Sequence, residues 1–408
     1  MNLLNLKYNY YILSNNLICM EDNEKREIDD FFLDKVGKSR KAIPHPRFRH
    51  DVNTKAGILY DNGRYEEALD EYDKAISEFP NYTEFHYKKG RMLKDLKRYE
   101  EALDEYNKAI SLEPEHADFH NNKGITLHDL KRDEKALDEY NKAISLEPEH
   151  ADFHNNKGIT LRRLKRYEEA LDEYNKAIQL NPNNPAVHYN KAYVLYELKE
   201  YQVALEEFSR AIEIKPNVSK SHFLRGNTLR MLARYEEAIF EYNEAMRLDS
   251  SNPNFYFSKA MVLNDMERFE EALNELDKAI NINPNYLDFY FNKAVILNRI
   301  NKYYEALQIS IWLIENNSGS NAQYFEVEAE SLSGLGRYAE ALRAYDRAIQ
   351  LDINNSKYHS SKAMVLGKMH RYEEAVMEYD KAIKLDPENS LYLHYRDMVL
   401  DRLNKDIF

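Results

Sequence analysis

Cysteine is almost missing from this sequence: Cys19 is the only one in 408 residues. That excludes a disulfide within the chain and a cysteine-built metal site, and it fits a reducing, cytoplasmic compartment. Glycine is scarce too, with 11 in all, and no glycine-rich phosphate loop or nucleophile motif occurs. Long apolar runs are absent. The opening stretch MNLLNLKYNYYILSNNLICM is broken by Asn, Lys and Ser, too often for a membrane span and too often for a good signal peptide. Basic charge is outweighed, 57 Lys and Arg against 70 Asp and Glu, for a net charge of −13. A nucleic-acid backbone is therefore not the expected partner.

What the chain has instead is a period. Residues 102 to 127 and 136 to 161 are the same 26 letters, ALDEYNKAISLEPEHADFHNNKGITL, at an offset of 34. Small residues keep that phase at Ala68, Ala102, Ala136, Ala170, Ala204, Ala238, Ala272, Ala306, Ala341 and Ala375, with one extra residue between Ala306 and Ala341. Seven residues after each comes another alanine, except that Leu313 stands in the eighth copy. Gly or Ala lies twelve before each, as at Gly90, Gly124, Gly158 and Ala192. Ten copies run from about Arg49 to Asn389.

Within one copy, GITLRRLKRYEEALDEYNKAI places apolar residues three and four apart, the stripe of an α-helix. Lys-Arg or Asn-Gly breaks the first helix from the second, and Glu-Pro or Asn-Pro ends the second. Small residues mark close helix crossings. Asp104 with Lys108 and Asp138 with Lys142 are spaced for ion pairs on a solvated face. No such hairpin buries its stripe alone, so the copies must stack.

These residues resemble the tetratricopeptide repeat family, with Gly158, Leu161, Tyr167, Ala170, Tyr174, Ala177 and Pro182 at its signature positions. His86, His120, His154, His188, His222 and His359 depart from the family's Trp, and Lys89, Lys123 and Lys157 depart from its Leu. The resemblance implies an all-α, right-handed superhelical solenoid of about ten 34-residue helix-turn-helix repeats with a C-terminal capping helix. The organisation expected is an extension over 1–48, repeats over 49–389 and the cap over 390–408. In the extension, Ile28, Phe31, Phe32 and Val36 make a helical stripe over residues 24–36, followed by a basic linker.

Two irregularities stand out. Asp133 takes a phase held elsewhere by Tyr or Phe, so Asp133→Tyr is expected to stabilise the array through recovered burial. In repeat eight, Ile309 and Trp312 replace Glu and Lys: either they form an exposed apolar pair, a convex contact for self-association or a second partner, or the inserted residue rotates the helix and buries Trp312 between repeats eight and nine. The spacing His116-x-Asp118-x-His120 could suit a metal, but His120 belongs to a series repeated at one phase, which reads as structural.

With repeats filling the chain, no catalytic domain, metal or cofactor is expected. The resemblance implies binding on the concave face, through the second, fifth, ninth and twelfth positions of the first helices. Repeats three and four present Asp118, Asn121, His128, Asp152, Asn155 and Arg162 there. Repeats five to eight present Tyr189, Tyr193, Tyr196, Phe223, Asn227, Arg230, Phe257, Met261, Phe291 and Val295. Aromatics and Met beside Asn and Arg have the composition of a recognition surface. The family's carboxylate clamp is missing: around Asn122 stand Tyr87, Arg91, Asp152 and Asn156. The expected function is a non-catalytic scaffold holding a segment of a partner protein, with no membrane contact. The alternatives are a single-stranded RNA binder built from related helical hairpins, disfavoured by period and charge, and a regulatory subunit of an enzyme complex.

Overall fold

The computed structural model describes residues 43–317 and 319–406; the expected helix over 24–36 lies outside the described residues. Among the described residues are twenty-one α-helices and no strand. The chain divides after Leu198 into two compact units. The first carries α1 (Pro46–Asp61), α2 (Tyr65–Glu78), α3 (Thr83–Asp95), α4 (Tyr99–Leu112), α5 (Ala117–Asp129), α6 (Asp133–Leu146), α7 (Ala151–Arg163), α8 (Tyr167–Leu180) and α9 (Pro185–Glu197). The second opens with α10 (Tyr201–Ile214), α11 (Ser219–Met231), α12 (Tyr235–Leu248), α13 (Pro253–Asp265), α14 (Phe269–Ile282) and α15 (Leu287–Arg299). It continues with α16 (Tyr303–Asn316), α17 (Ala322–Gly334), α18 (Tyr338–Leu351), α19 (Ser356–Lys368), α20 (Tyr372–Leu385) and the capping helix α21 (Ser390–Asp406). Each unit is a stack of helical hairpins, the solenoid the period implies. The first helix begins at Pro46, inside the stretch read from sequence as linker, with the His45 ring accepting from the Arg47 amide at 3.2 Å.

Hairpin turns and crossings follow directly from local chemistry. The residue after each first helix's cap is left-handed, with φ of 62° at Lys97, 60° at Lys131 and 59° at Lys165. The following arginine amide then closes back on the helix, as from Arg132 to the Leu127 carbonyl at 2.8 Å. Lysine tolerates this conformation at a cost that glycine avoids. Where the hairpin helices cross, a Cβ on Gly158 would lie 2.6 Å from the Tyr174 ring, and one on Gly124 would lie 2.7 Å from Tyr140. Those rings are fully buried. The glycines are what admit them.

A polar clasp ties each regular hairpin to the turn before it. His86 on α3 brings Nδ1 within 2.6 Å of Glu105 on α4, and Nε2 within 3.0 Å of the Pro80 carbonyl. His120 does the same with Glu139 at 2.6 Å and Pro114 at 3.1 Å, and His154 with Glu173 at 2.6 Å and Pro148 at 3.1 Å. In the second unit His222 meets Glu241 at 2.8 Å and Pro216 at 2.9 Å, and His359 meets Glu378 at 2.7 Å. The other carboxylate oxygen takes lysine: Lys108 lies 2.9 Å from Glu105, and Lys157 lies 2.9 Å from Glu173. The solvated pairing expected between Asp104 and Lys108 is therefore replaced by one to Glu105, which is 6% exposed.

A carbonyl and a carboxylate are both acceptors, so at His222 both ring nitrogens are placed to donate. The hydrogen bond to Glu241 raises the His222 pKa against the opposing effect of burial, and the Pro216 carbonyl adds to the rise. On the acid side, burial pushes Glu105 and Glu173 up, but His and Lys hydrogen bonds override it and hold both at about 2.

Repeats seven and eight abandon the clasp in steps. Repeat seven has Tyr256 for the histidine; its hydroxyl reaches the Ser250 carbonyl at 3.3 Å, leaving Oε2 of Glu275 buried without a hydrogen bond. Repeat eight makes the whole set apolar. Tyr290 stands at the histidine phase and Ile309 at the glutamate phase, while Trp312 at the lysine phase packs on Tyr290 with ring centroids 4.4 Å apart.

Two outcomes test this reading. A carboxyl depressed in the folded state stabilises it above the ordinary value, and that stability is lost as pH falls through the folded pKa. With Glu105 and Glu173 at about 2 against an ordinary 4.5, thermal stability should fall steadily between those values. Glu139→Gln with Glu173→Gln should be less stable at neutral pH and lose less on acidification; an unchanged acid slope would count against the clasp. Separately, Lys131→Gly with Lys165→Gly should gain about 1–2 kcal/mol by relieving two left-handed lysines, read by denaturant midpoint. A lower midpoint would show that the lysine side chains matter more than the backbone strain.

Candidate functional site

The first helices of each unit share a face, and the residues expected to bind lie on it. In the first unit many are engaged between repeats. Asn121 accepts from Asn156 at 3.0 Å, and Asn155 accepts from Asn190 at 3.1 Å, a ladder joining position five of one repeat to position six of the next. Arg162 reaches Asn190 at 3.4 Å and lays its guanidinium over the Tyr193 ring, 4.9 Å from the centroid. Tyr189 and Tyr196 are half-buried, and burial pushes the Tyr189 hydroxyl up to about 12.

The second unit is organised by rings. Phe223 lies 5.0 Å from Phe255, Phe257 lies 5.3 Å from Phe289, and Phe291 lies 5.8 Å from Tyr324, each a contact with the next first helix. Asn227 accepts from the Tyr242 hydroxyl at 2.8 Å, and Arg230 pairs with Asp265 at 2.9 Å. Met261 and Val295 stay half-buried beside the core. The result is an apolar strip in which each phenylalanine keeps part of its ring open.

Sequence reasoning missed two acids on this face. Glu326 and Glu330 occupy positions five and nine of repeat nine, where a reading of the binding phases one repeat further would have met them. Glu326 is buried with the Lys357 ammonium 2.6 Å away, and burial, aided by the Glu326 charge, raises the Glu330 carboxyl.

Two expectations need correction. Ile309 and Trp312 are not an exposed pair. The glutamate phase is an interior position, so Ile309 packs on the core, and Trp312 is half-buried against Tyr290. Nor does Asp133 waste its position. Its side chain is 11% exposed and is gripped by Arg163, whose Nε lies 2.8 Å from Oδ2, with His128 Nδ1 3.2 Å from Oδ1. Burial lowers the His128 pKa, and the Arg163 charge lowers it further against the opposing Asp133.

Among the described residues no group of three or more potential ligands could hold a metal. His116 stacks on Phe119 at 4.0 Å, while His120 turns into the clasp. No helix among the described residues is long and apolar enough to cross a membrane.

Stacked hairpins of this period, presenting one face of first helices, define a helical-repeat scaffold. The chain belongs to the tetratricopeptide repeat family. Profiles described as TPR or tetratricopeptide repeat match residues 51–82, 90–131, 117–150, 139–172 and 160–199. Further matches cover 185–218, 219–252, 253–286, 275–308 and 356–389. Proteins of this family are generally non-catalytic interaction scaffolds. No curated protein matches the chain. Among solved structures, it is similar to YrrB, described as a TPR protein with an unusual peptide-binding site: 28% identity over 44% of this chain and 92% of that one, TM-score 0.40. Pseudomonas aeruginosa pilF is 22% identical over 51% and 94%, TM-score 0.46. Yeast Tom70 is 14% identical over 88% and 96%, TM-score 0.42.

The Asp133 geometry reverses the effect expected of its replacement. Asp133→Tyr should destabilise by about 1–2 kcal/mol, because Arg163 and His128 lose a nearly buried acceptor. A melting temperature raised by the tyrosine would contradict this.

Proposed function

We propose that this chain is a non-catalytic, cytoplasmic scaffold that binds a segment of a partner protein on its first-helix face. The apolar strip of the second unit forms the principal contact. The observation that carries the reading is the recurrence of Phe223, Phe257 and Phe291 at one phase, each half-buried, with Met261 and Val295 beside them. Interface cores favour aromatics and Met in this way, and a few such side chains dominate affinity. Tyr193 and Arg162 offer a second, more polar contact in the first unit, where the guanidinium lies over the ring. Family membership supports the scaffold role, and the lone cysteine supports a reducing compartment.

Because the phenylalanines also join repeats through ring contacts, the test uses Met261 and Val295, which line the strip from the edge of the core. Peptides selected from a random display library on the immobilised full chain should bind Met261→Glu/Val295→Glu about tenfold or more weakly by calorimetry. The helical circular dichroism should not change. Equal affinity for the variant would remove the strip from the binding site.

A further inference from the structure

Helix α16 exposes apolar side chains at two phases that are polar in most other repeats, whereas α12 and α20 expose Phe240 and Met377 at a different phase. Tyr304 stands where Glu66, Glu100, Glu134, Glu168, Glu236 and Glu270 stand in other repeats, and it is 64% exposed. Ile311 occupies a phase that is Asp, Asn or Ser in every other repeat, and it is 38% exposed. The two are seven residues apart, so they share one outward ridge. This ridge differs from the Ile309 and Trp312 positions, which face the helix's own neighbours.

A cleft flanks the ridge on each side. One of about 570 Å³ opens between α14 and α16 over α15, with Leu273, Leu297 and Ile309 in its lining. The other, of about 260 Å³, opens between α16 and α18 over α17, with Leu307, Phe325 and Leu332. Their charges differ in sign. On the first flank Lys293 is held by Asp277, leaving Glu270 and Glu305 against Lys302, a net negative edge. On the second, Glu340 lies 2.7 Å from Arg337 and 3.8 Å from Arg343, so Arg337, Arg343 and Arg347 stand against Glu328 and Glu340, a net positive edge. Arg347 has the Phe325 ring and Gln350 for company, and no carboxylate within ion-pairing distance among the described residues.

An apolar ridge with an acid edge on one side and a basic edge on the other is self-complementary. A two-fold axis running along α16 sets two such helices side by side in the same direction. It then brings the acid edge of each copy against the arginine edge of the other, as an isologous interface requires. We propose that the outer face of α16 is a docking surface for a second copy of this chain, with Tyr304 and Ile311 at its centre and Glu270 and Glu305 opposite Arg343 and Arg347. The surface is separate from the first-helix strip, so the dimer and the peptide site stand or fall independently.

The test is the oligomeric state of the full chain by analytical ultracentrifugation over a wide concentration range. The wild type should dimerise reversibly, more weakly as salt is raised. Tyr304→Glu/Ile311→Glu and Arg343→Glu/Arg347→Glu should each weaken the dimer about tenfold or more while keeping the helical signal. Adding Glu270→Arg/Glu305→Arg to the arginine variant should restore it, which a merely misfolded variant would not do. A chain that stays monomeric at every concentration, a dimer untouched by Tyr304→Glu/Ile311→Glu, or a charge swap that fails to restore association would each overturn the proposal.

Discussion

The regular repeats depend on a histidine held between two acceptors. One is the carbonyl of the proline just past the preceding helix's cap, and the other is a glutamate on the partner helix of the same hairpin. A proline at that carbonyl position has no amide proton of its own and marks where the helix must stop. The ring thus converts the turn after a helix, whose carbonyl would otherwise need solvent, into an anchor. Burying an ion pair returns little net stability, because desolvation opposes the attraction. Its larger effect is on specificity within the hairpin: two helices of one hairpin paired out of register would strand a buried carboxylate.

The same logic explains where the array changes character. Once Tyr256 replaces histidine, Glu275 keeps only its lysines, at 3.0 and 3.1 Å. One repeat later the set is Tyr290, Ile309 and Trp312, and the polar clasp has become a small apolar cluster. In repeat nine Phe325 and Arg347 share the place through a ring and a guanidinium 6.0 Å apart. Repeat ten returns to His359 and Glu378. The exposed apolar ridge and the two clefts sit in the stretch that lacks the clasp, so the departure concentrates new surface chemistry in one part of the second unit.

The helices, their turns and the tight crossings were legible in the sequence because they follow from periodicity and residue size. Gly158 opposite Tyr174 is an example: the glycine recurs at one phase, and the ring that needs it recurs at another. The candidate face was legible as a set of positions, but what each side chain does there was not. Phe223, Phe257 and Phe291 sit at binding phases and also bridge repeats, and a one-dimensional pattern does not separate the two roles. Asp133 shows the limit most sharply. Its partner Arg163 lies thirty residues on, in the neighbouring copy. The signal was present, since the duplicated stretch ends at Thr126-Leu127 and the first divergences, His128 for Arg162 and Asp129 for Arg163, supply the network that Asp133 joins. Likewise the glutamate phase that Ile309 breaks looked outward because it is charged in other repeats; only packing, as at buried Glu105, reveals that the phase is interior.

The central claim is that a clasp histidine is held between two acceptors, and at His222 this makes the ring a two-proton donor. It is tested most directly by nitrogen-detected NMR of the His222 ring through a pH titration. The account predicts that both ring nitrogens remain protonated above the ordinary histidine value of 6.5, with the Glu241 and Pro216 contacts intact. A ring that is already a neutral single tautomer at that pH would contradict it.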